Sequence, residues 1–280
     1  MDLLVSTEWL ADEMGASDLR IVDATYFLPD AGRDAAAEYQ AAHIAGALYL
    51  NLTELVDTAS PFPNMLPPAE VFAARVAALG LGDDSRIVLY DNISYRTAAR
   101  AWWMFRLFGM QKVAMLDGGL PKWMAEGRAL DSGLPTPHPR PFTVSKDAAA
   151  VRTKDQVAHA LATDSAQIVD ARGPGRFTGE EPEPRGDLAS GHMPGARNLP
   201  YSRLFEADGT WKRGDALKAE FVAAGVDLDR PLITTCGSGI TAAILLFGAA
   251  LLGKTDVSLY DGSWSEWGAD PALPKATGPA

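Results

Sequence analysis

The sequence predicts an α/β protein of two tandem domains, each a mostly parallel sheet flanked by helices. Three observations carry this. The chain repeats itself: Ile21-Val22-Asp23-Ala24 returns as Ile168-Val169-Asp170-Ala171, and His43-Ile44-Ala45-Gly46-Ala47 as His192-Met193-Pro194-Gly195-Ala196. Leu116-Asp117-Gly118-Gly119 with Trp123 likewise returns as Tyr260-Asp261-Gly262-Ser263 with Trp267. The matches keep their order and a nearly constant spacing, which a duplicated domain explains. Within each copy, short apolar runs alternate with helical stretches, the pattern of parallel sheets covered on both faces. Between the copies, Asp131 to Pro141 carries four prolines, which exclude a helix and stiffen the chain.

Taken in order, Pro68 to Leu79 reads as a helix. Pro sits at its start, Val71, Phe72, Val76 and Leu79 share a face, and Gly80 stops it. Arg86 to Tyr90 is a short apolar run of buried-strand type. The proline-rich stretch then closes a first domain over residues 1–135, and a second is expected over residues 150–280. Thr153-Lys154-Asp155-Gln156 is a capping box opening a helix with Val157, Ala160 and Leu161. Pro231 to Thr235 is a second buried-strand run, and Thr241 to Leu252 a buried helix. Ligands of such sheets bind beyond the strands' carboxyl ends.

Composition narrows the chemistry. The chain has 280 residues, 47% hydrophobic and 22% charged, and a net charge of −11 with no basic block. Nucleic acid and anionic membrane are therefore not expected as partners. One cysteine, Cys236, excludes an intrachain disulfide, a cysteine-cluster zinc site and an iron–sulfur site. His43, His138, His159 and His192 show no ligand spacing, so no metal is expected. His43 and His192 hold one repeat position, which suggests a shared structural role. No glycine-rich nucleotide motif is present, and no cofactor is expected. The uncharged run Pro231 to Gly253 is interrupted by polar and Gly residues and is too short in its apolar part to span a membrane. The N-terminus Met1-Asp2-Leu3-Leu4 has no signal-peptide pattern, so a cytoplasmic protein is expected, as a monomer or weak oligomer.

Cys236 stands where a ligand site is expected: after an apolar strand, at the head of Gly237-Ser238-Gly239, before a helix. The glycines let the backbone curl, and the helix N-terminus adds partial positive charge. Both favour thiolate, the nucleophilic form. The first repeat has Asp91 there, in a loop with no Gly and no Cys, so it carries no sulfur nucleophile.

These motifs give the chain a resemblance. The two copies resemble tandem rhodanese domains over nearly the whole chain. The loop Cys236-Gly237-Ser238-Gly239-Ile240-Thr241 resembles the active loop of 3-mercaptopyruvate sulfurtransferases. Trp102-Trp103-Met104-Phe105-Arg106, Leu116-Asp117-Gly118-Gly119, Glu181-Pro182-Glu183-Pro184-Arg185 and Tyr260 to Trp267 match as well. The resemblance implies a ping-pong reaction in which Cys236 takes sulfur from a small-molecule donor, becomes a persulfide, and passes the sulfur to a thiol, a thioredoxin-like protein or cyanide. It implies that Arg176 and Arg185 hold the donor, a task that suits a planar guanidinium. It assigns Gly237, Gly239, Ile240 and Thr241 to the substrate loop and Ser238 to a hydroxyl relay. The relay's usual partners, a histidine and an acidic residue, are here Asn64 and Thr53, which leaves Ser238 to hydrogen bonding. The bulky Trp and Met residues are expected as packing.

Three rival readings remain. A thiosulfate:cyanide sulfurtransferase resembles this chain closely, but enzymes dedicated to that dianion carry cations after the Cys, where Gly237, Ser238 and Gly239 stand. A phosphatase loop needs Arg six residues after the Cys, and Ala242 is there. A non-enzymatic sulfur-carrier module would lack the donor-binding arginine pair.

Overall fold

The computed structural model describes residues 1–28, 31–94 and 96–280. By contacts the chain forms two units, and each repeat builds a five-stranded sheet with every pairing parallel. The first unit comprises Met1–Asp57, Leu66–Asp147 and Ala207–Trp211. In chain order it contains β1 (Leu4–Val5), α1 (Thr7–Glu13), β2 (Leu19–Asp23), α2 (Ala35–Ala41), β3 (His43–Ile44) and β4 (Leu48–Tyr49). There follow α3 (Ala69–Ala78), β5 (Arg86–Tyr90), α4 (Ala98–Leu107), β6 (Val113–Leu116), α5 (Gly119–Ala125) and β7 (Leu130–Asp131). Its sheet runs β1-β6-β5-β2-β4, and β3 pairs antiparallel with β7.

The second unit comprises Thr58–Met65, Ala148–Glu206 and Lys212–Ala280. It contains β8 (Val151–Arg152), α6 (Lys154–Thr163), β9 (Gln167–Asp170), α7 (Pro174–Thr178) and β10 (Arg197–Asn198). α8 (Gly214–Ala223), β11 (Leu232–Thr235), α9 (Ala242–Leu251), β12 (Val257–Tyr260) and α10 (Ser263–Trp267) complete it. Its sheet runs β10-β9-β11-β12-β8, the first unit's order strand for strand. Each unit thus contains one short segment drawn from the other repeat's stretch of sequence: 58–65 in the second, 207–211 in the first.

The local reasons match the residues. Thr153 accepts from Gln156 N while the Gln156 side chain accepts from Thr153 N, so the capping box forms as expected. Phe72 and Val76 of α3 are fully buried. α4 is buried at every position except Arg106, and α9 from Ala242 to Ala249. A helix apolar on all sides, as α9 is, belongs in the interior, whereas α4 also buries Arg100, whose guanidinium lies 4.5 Å from the centre of a Trp103 ring. Trp102, Trp103 and Met104 are packing residues of α4. Among the described residues no helix is long and apolar enough to cross a membrane.

The proline-rich stretch forms no helix, and hydrogen bonds tie it to the first unit. Arg140 N donates to Ala77 O, Asp83 N to Pro141 O, and Thr143 N to the Asp83 carboxylate. His43 and His192 do share a structural role. Both are buried; Nδ1 of His43 donates to Tyr39 O at 2.7 Å and that of His192 to Phe177 O at 2.8 Å. Each ring also stacks on the side chain of that same partner.

Candidate active site

The second sheet delivers Cys236 directly from the carboxyl end of β11. Cys236 is 2% exposed and unbonded to any other cysteine. Gly239 has φ +80°, the left-handed region that side chains resist, and this turns the loop into α9. Thr241 is the N-cap of α9, and no side chain caps that helix. Ile240 is buried behind the loop. Gly237 is needed for room rather than for its φ. A Cβ there would stand 2.9 Å from Nη2 of Arg176.

The Tyr260–Trp267 motif is the floor of this loop. Trp264 N donates to Cys236 O at 2.9 Å, and Ser265 N to Gly237 O at 2.9 Å. Cys236 N donates to Ser263 Oγ at 3.3 Å, and Ser263 Oγ donates to Tyr260 O at 2.9 Å. Ser263 holds φ +50°, which costs a non-glycine residue about 1–2 kcal/mol. Its counterpart Gly119 has φ +60°, and a Cβ on Gly119 would lie 2.5 Å from Asp91 O. The second repeat keeps a side chain in that conformation, and the hydroxyl it gains is bonded to the nucleophile's own amide.

Arg176 lies against Gly237, and Arg185 is linked to it through Ser265. Arg176 approaches the Cα face of Gly237 and is bound through Nε and Nη2 to Glu183. Arg185 donates from Nη1 to Ser265 Oγ at 2.7 Å, and that hydroxyl donates to Gly237 O at 2.7 Å. Glu183, 6% exposed, is shared with Arg172, whose Nη1 donates to it at 2.7 Å. Arg172 is itself buried, bound to Asp170 and Gly191 O, with its guanidinium 4.5 Å from the centre of a Trp264 ring. Burial alone would lower the Arg172 pKa; Asp170 and Glu183 outweigh it and raise it. Ser238 accepts a hydrogen bond from Asn64 Nδ2 at 3.0 Å. Asn64 holds φ +58°, a conformation that Asn tolerates well. Thr53 belongs to the first unit and bonds to Asn51 through its amide and hydroxyl.

The first repeat repeats the frame without the sulfur. Asp91 follows β5, and Leu120 N donates to Asp91 O at 2.9 Å, as Trp264 N does to Cys236 O. Its carboxylate accepts from Ala98 N, the first residue of α4, at 2.8 Å. Arg96 lies 3.4 Å from its other oxygen. Burial pushes the Asp91 carboxyl up, and Arg96 pulls against it.

Arg172, Glu183, Ser263 and Ser265 are site residues that no sequence motif singles out. In the sequence Glu183 stands beside Glu180 and Glu181, and Ser263 and Ser265 lie among the aromatic residues Tyr260, Trp264 and Trp267. The positive φ of Ser263 and the burial of Glu183 are what single them out.

A buried cysteine at the tip of a parallel-sheet strand, in a glycine loop preceding an uncapped helix and duplicated with the nucleophile replaced, defines the class. The sequence profile of the rhodanese-like domain matches residues 6–126 and 153–270, and the chain belongs to the rhodanese family. It is 41% identical to the 3-mercaptopyruvate sulfurtransferase of Homo sapiens over 94% of this chain and 91% of that one. It is 39% identical to the mitochondrial thiosulfate/3-mercaptopyruvate sulfurtransferase 1 of Arabidopsis thaliana, over 97% of this chain and 77% of that one. The crystal structure of SseA from Escherichia coli, a 3-mercaptopyruvate sulfotransferase, superimposes with a TM-score of 0.87 at 38% identity, covering 94% and 99% of the two chains.

Proposed function

We propose that this protein is a 3-mercaptopyruvate sulfurtransferase whose nucleophile is Cys236. One observation carries the reading: Arg176 lies against Gly237, the residue next to Cys236, and Arg185 is tied to the Gly237 carbonyl through the Ser265 hydroxyl. Two guanidiniums beside a neutral loop suit a donor whose charge is a carboxylate set back from its sulfur. Residues 1–135 then form a repeat without a nucleophile and residues 150–280 the catalytic repeat, completed by Asn64.

In this mechanism the Cys236 thiolate attacks the donor's thiol sulfur. The S–S bond forms as the donor's C–S bond breaks, and the electron pair moves onto the three-carbon fragment as an enolate. Protonation of that enolate releases pyruvate. The arginines hold carboxylate and carbonyl, so they also stabilise the charge that develops on the carbonyl oxygen. A thiol, thioredoxin-like protein or cyanide then attacks the outer sulfur of the persulfide, and Cys236 leaves as thiolate. Asp91 supports the first requirement. At the equivalent place in the first repeat, the amide of the helix's first residue donates to the Asp91 carboxyl group.

Gly237, Gly239, Ile240 and Thr241 shape the donor loop, and Ser238 donates a hydrogen bond toward it. We place the reaction in the cytoplasm, where a lone thiol stays reduced. Thiosulfate is the second reading, favoured by the Arabidopsis thaliana relative named for both donors. Mass spectrometry of the protein before and after 3-mercaptopyruvate tests the proposal. A gain of one sulfur atom on Cys236, with release of pyruvate, is expected. An unchanged Cys236 would refute it.

A further inference from the structure

The two arginines at Gly237 differ in how their charge is compensated. Arg176 gives two hydrogen bonds to the Glu183 carboxylate. Among the described residues Arg185 has no carboxylate partner; a hydroxyl, Ser265 Oγ, holds it. Ser265 is 4% exposed and takes part in three hydrogen bonds: its amide and its hydroxyl both donate to Gly237 O, and the hydroxyl accepts from Arg185. The guanidinium is therefore fixed two hydrogen bonds away from the carbonyl beside Cys236, with its full charge intact. A hydroxyl does this where a carboxylate would cancel the charge, and an alkyl side chain would release an otherwise exposed arginine to solvent.

We propose that Ser265 is a positioning residue that sets donor choice. Its hydroxyl holds the uncompensated charge of Arg185 at the Cys236 loop, so that the site selects sulfur compounds bearing a carboxylate. This rests on the reading of the donor given above. Arg185 reads the charge, and Arg176, already shared with Glu183, supports the loop and the reacting end.

The test compares Ser265→Ala and Ser265→Thr with the wild type by the alkylation rate of Cys236. The probes are iodoacetate, which carries a carboxylate, and iodoacetamide, its neutral counterpart. Ser265→Ala keeps the amide bond to Gly237 O. It should lower the iodoacetate-to-iodoacetamide rate ratio by about 3- to 10-fold, the scale of one lost orienting hydrogen bond. Ser265→Thr, which retains the hydroxyl, should restore most of the ratio. With 3-mercaptopyruvate the loss should fall on KM. An unchanged ratio, or equal slowing with both reagents, would overturn the proposal, the second by assigning Ser265 to loop integrity. A falling ratio in a protein that never turns over 3-mercaptopyruvate would overturn the donor reading alone and leave the placement of the Arg185 charge standing.

Discussion

The Asn64 amide donates to the Ser238 hydroxyl across 3.0 Å, and Asn64 arrives in the second unit on a segment, 58–65, that the first repeat's stretch of chain supplies. An amide fixes the direction of a hydroxyl but takes no proton from it. Ser238 is therefore oriented, with its own hydrogen available to a donor molecule, and has no base beside it at Asn64.

That predicts a pH profile. Asn64 does not titrate, so the Ser238 contact contributes no inflection to kcat/KM between pH 5 and 8. Asn64→His should add one near about 6.5, the ordinary imidazole value. Parallel profiles of the two proteins check this, and identical profiles would mean that residue 64 has no influence on the reacting hydroxyl.

Cys236→Ser should abolish sulfur transfer while leaving the fold intact, because a hydroxyl is a far weaker nucleophile at neutral pH and forms no persulfide. Asp91→Ala should leave the sulfur chemistry in place. Turnover assays with circular dichroism as the folding control decide it; substantial turnover by the serine variant would remove Cys236 from the mechanism.

Arg176→Gln or Arg185→Gln removes a cation while keeping length. A charge-assisted hydrogen bond contributes about 1.5–3 kcal/mol, which predicts a loss of roughly 10- to 150-fold in kcat/KM with 3-mercaptopyruvate. Alkylation by neutral iodoacetamide should change little. Wild-type efficiency in both variants would remove these arginines from the donor site.

Gly237 tests the same geometry from the other side. A Cβ there meets Arg176 Nη2 at 2.9 Å, so Gly237→Ala should displace that guanidinium and reduce efficiency with 3-mercaptopyruvate. Gly237→Arg with Ser238→Lys places cations in the loop and should raise activity with thiosulfate relative to 3-mercaptopyruvate. The ratio of the two efficiencies is the measurement, and a ratio unmoved by the double change would separate loop charge from donor choice.

Asp23 makes stability depend on pH. It lies at the carboxyl end of β2, and burial pushes its carboxyl up to about 6, against hydrogen bonds from Thr25. The folded state thus holds this proton more tightly than the unfolded chain does. Its contribution is full below about pH 4, falls as pH rises through about 6, and stays lost above; the difference is ~3 kcal/mol. Asp23→Asn should therefore stabilise the protein at pH 8 by about 1–3 kcal/mol and change little at pH 4. Urea midpoints at the two pH values check it, and an equal shift at both would point to packing instead of charge.

The duplication and the place of Cys236 are legible in the sequence because they rest on local patterns. Ile21–Ala24 and Ile168–Ala171 each end a strand with the same buried Asp, and the apolar run before Cys236 can only be a covered strand. The companions of Cys236 are less legible because they meet it through space. Glu183 looks solvated among Glu180 and Glu181 until the fold buries it between Arg172 and Arg176. Ser263 is unremarkable until its backbone is seen to be left-handed. Pairing Asn64 with Ser238 requires a contact across most of the chain, and only the resemblance points to that position.

The segments 58–65 and 207–211 bear on how the duplicated gene can be pruned. A fragment starting after the proline-rich stretch would keep Cys236, Ser238 and both arginines, yet lose Asn64 from beside the reacting hydroxyl. A fragment ending there would lose Gly209, whose carbonyl receives Arg96, and Trp211, whose amide is bound by Asp117. Neither half keeps all the contacts of its own unit. The first copy, which carries Asp91 where the second carries Cys236, supplies a segment to its sibling's unit.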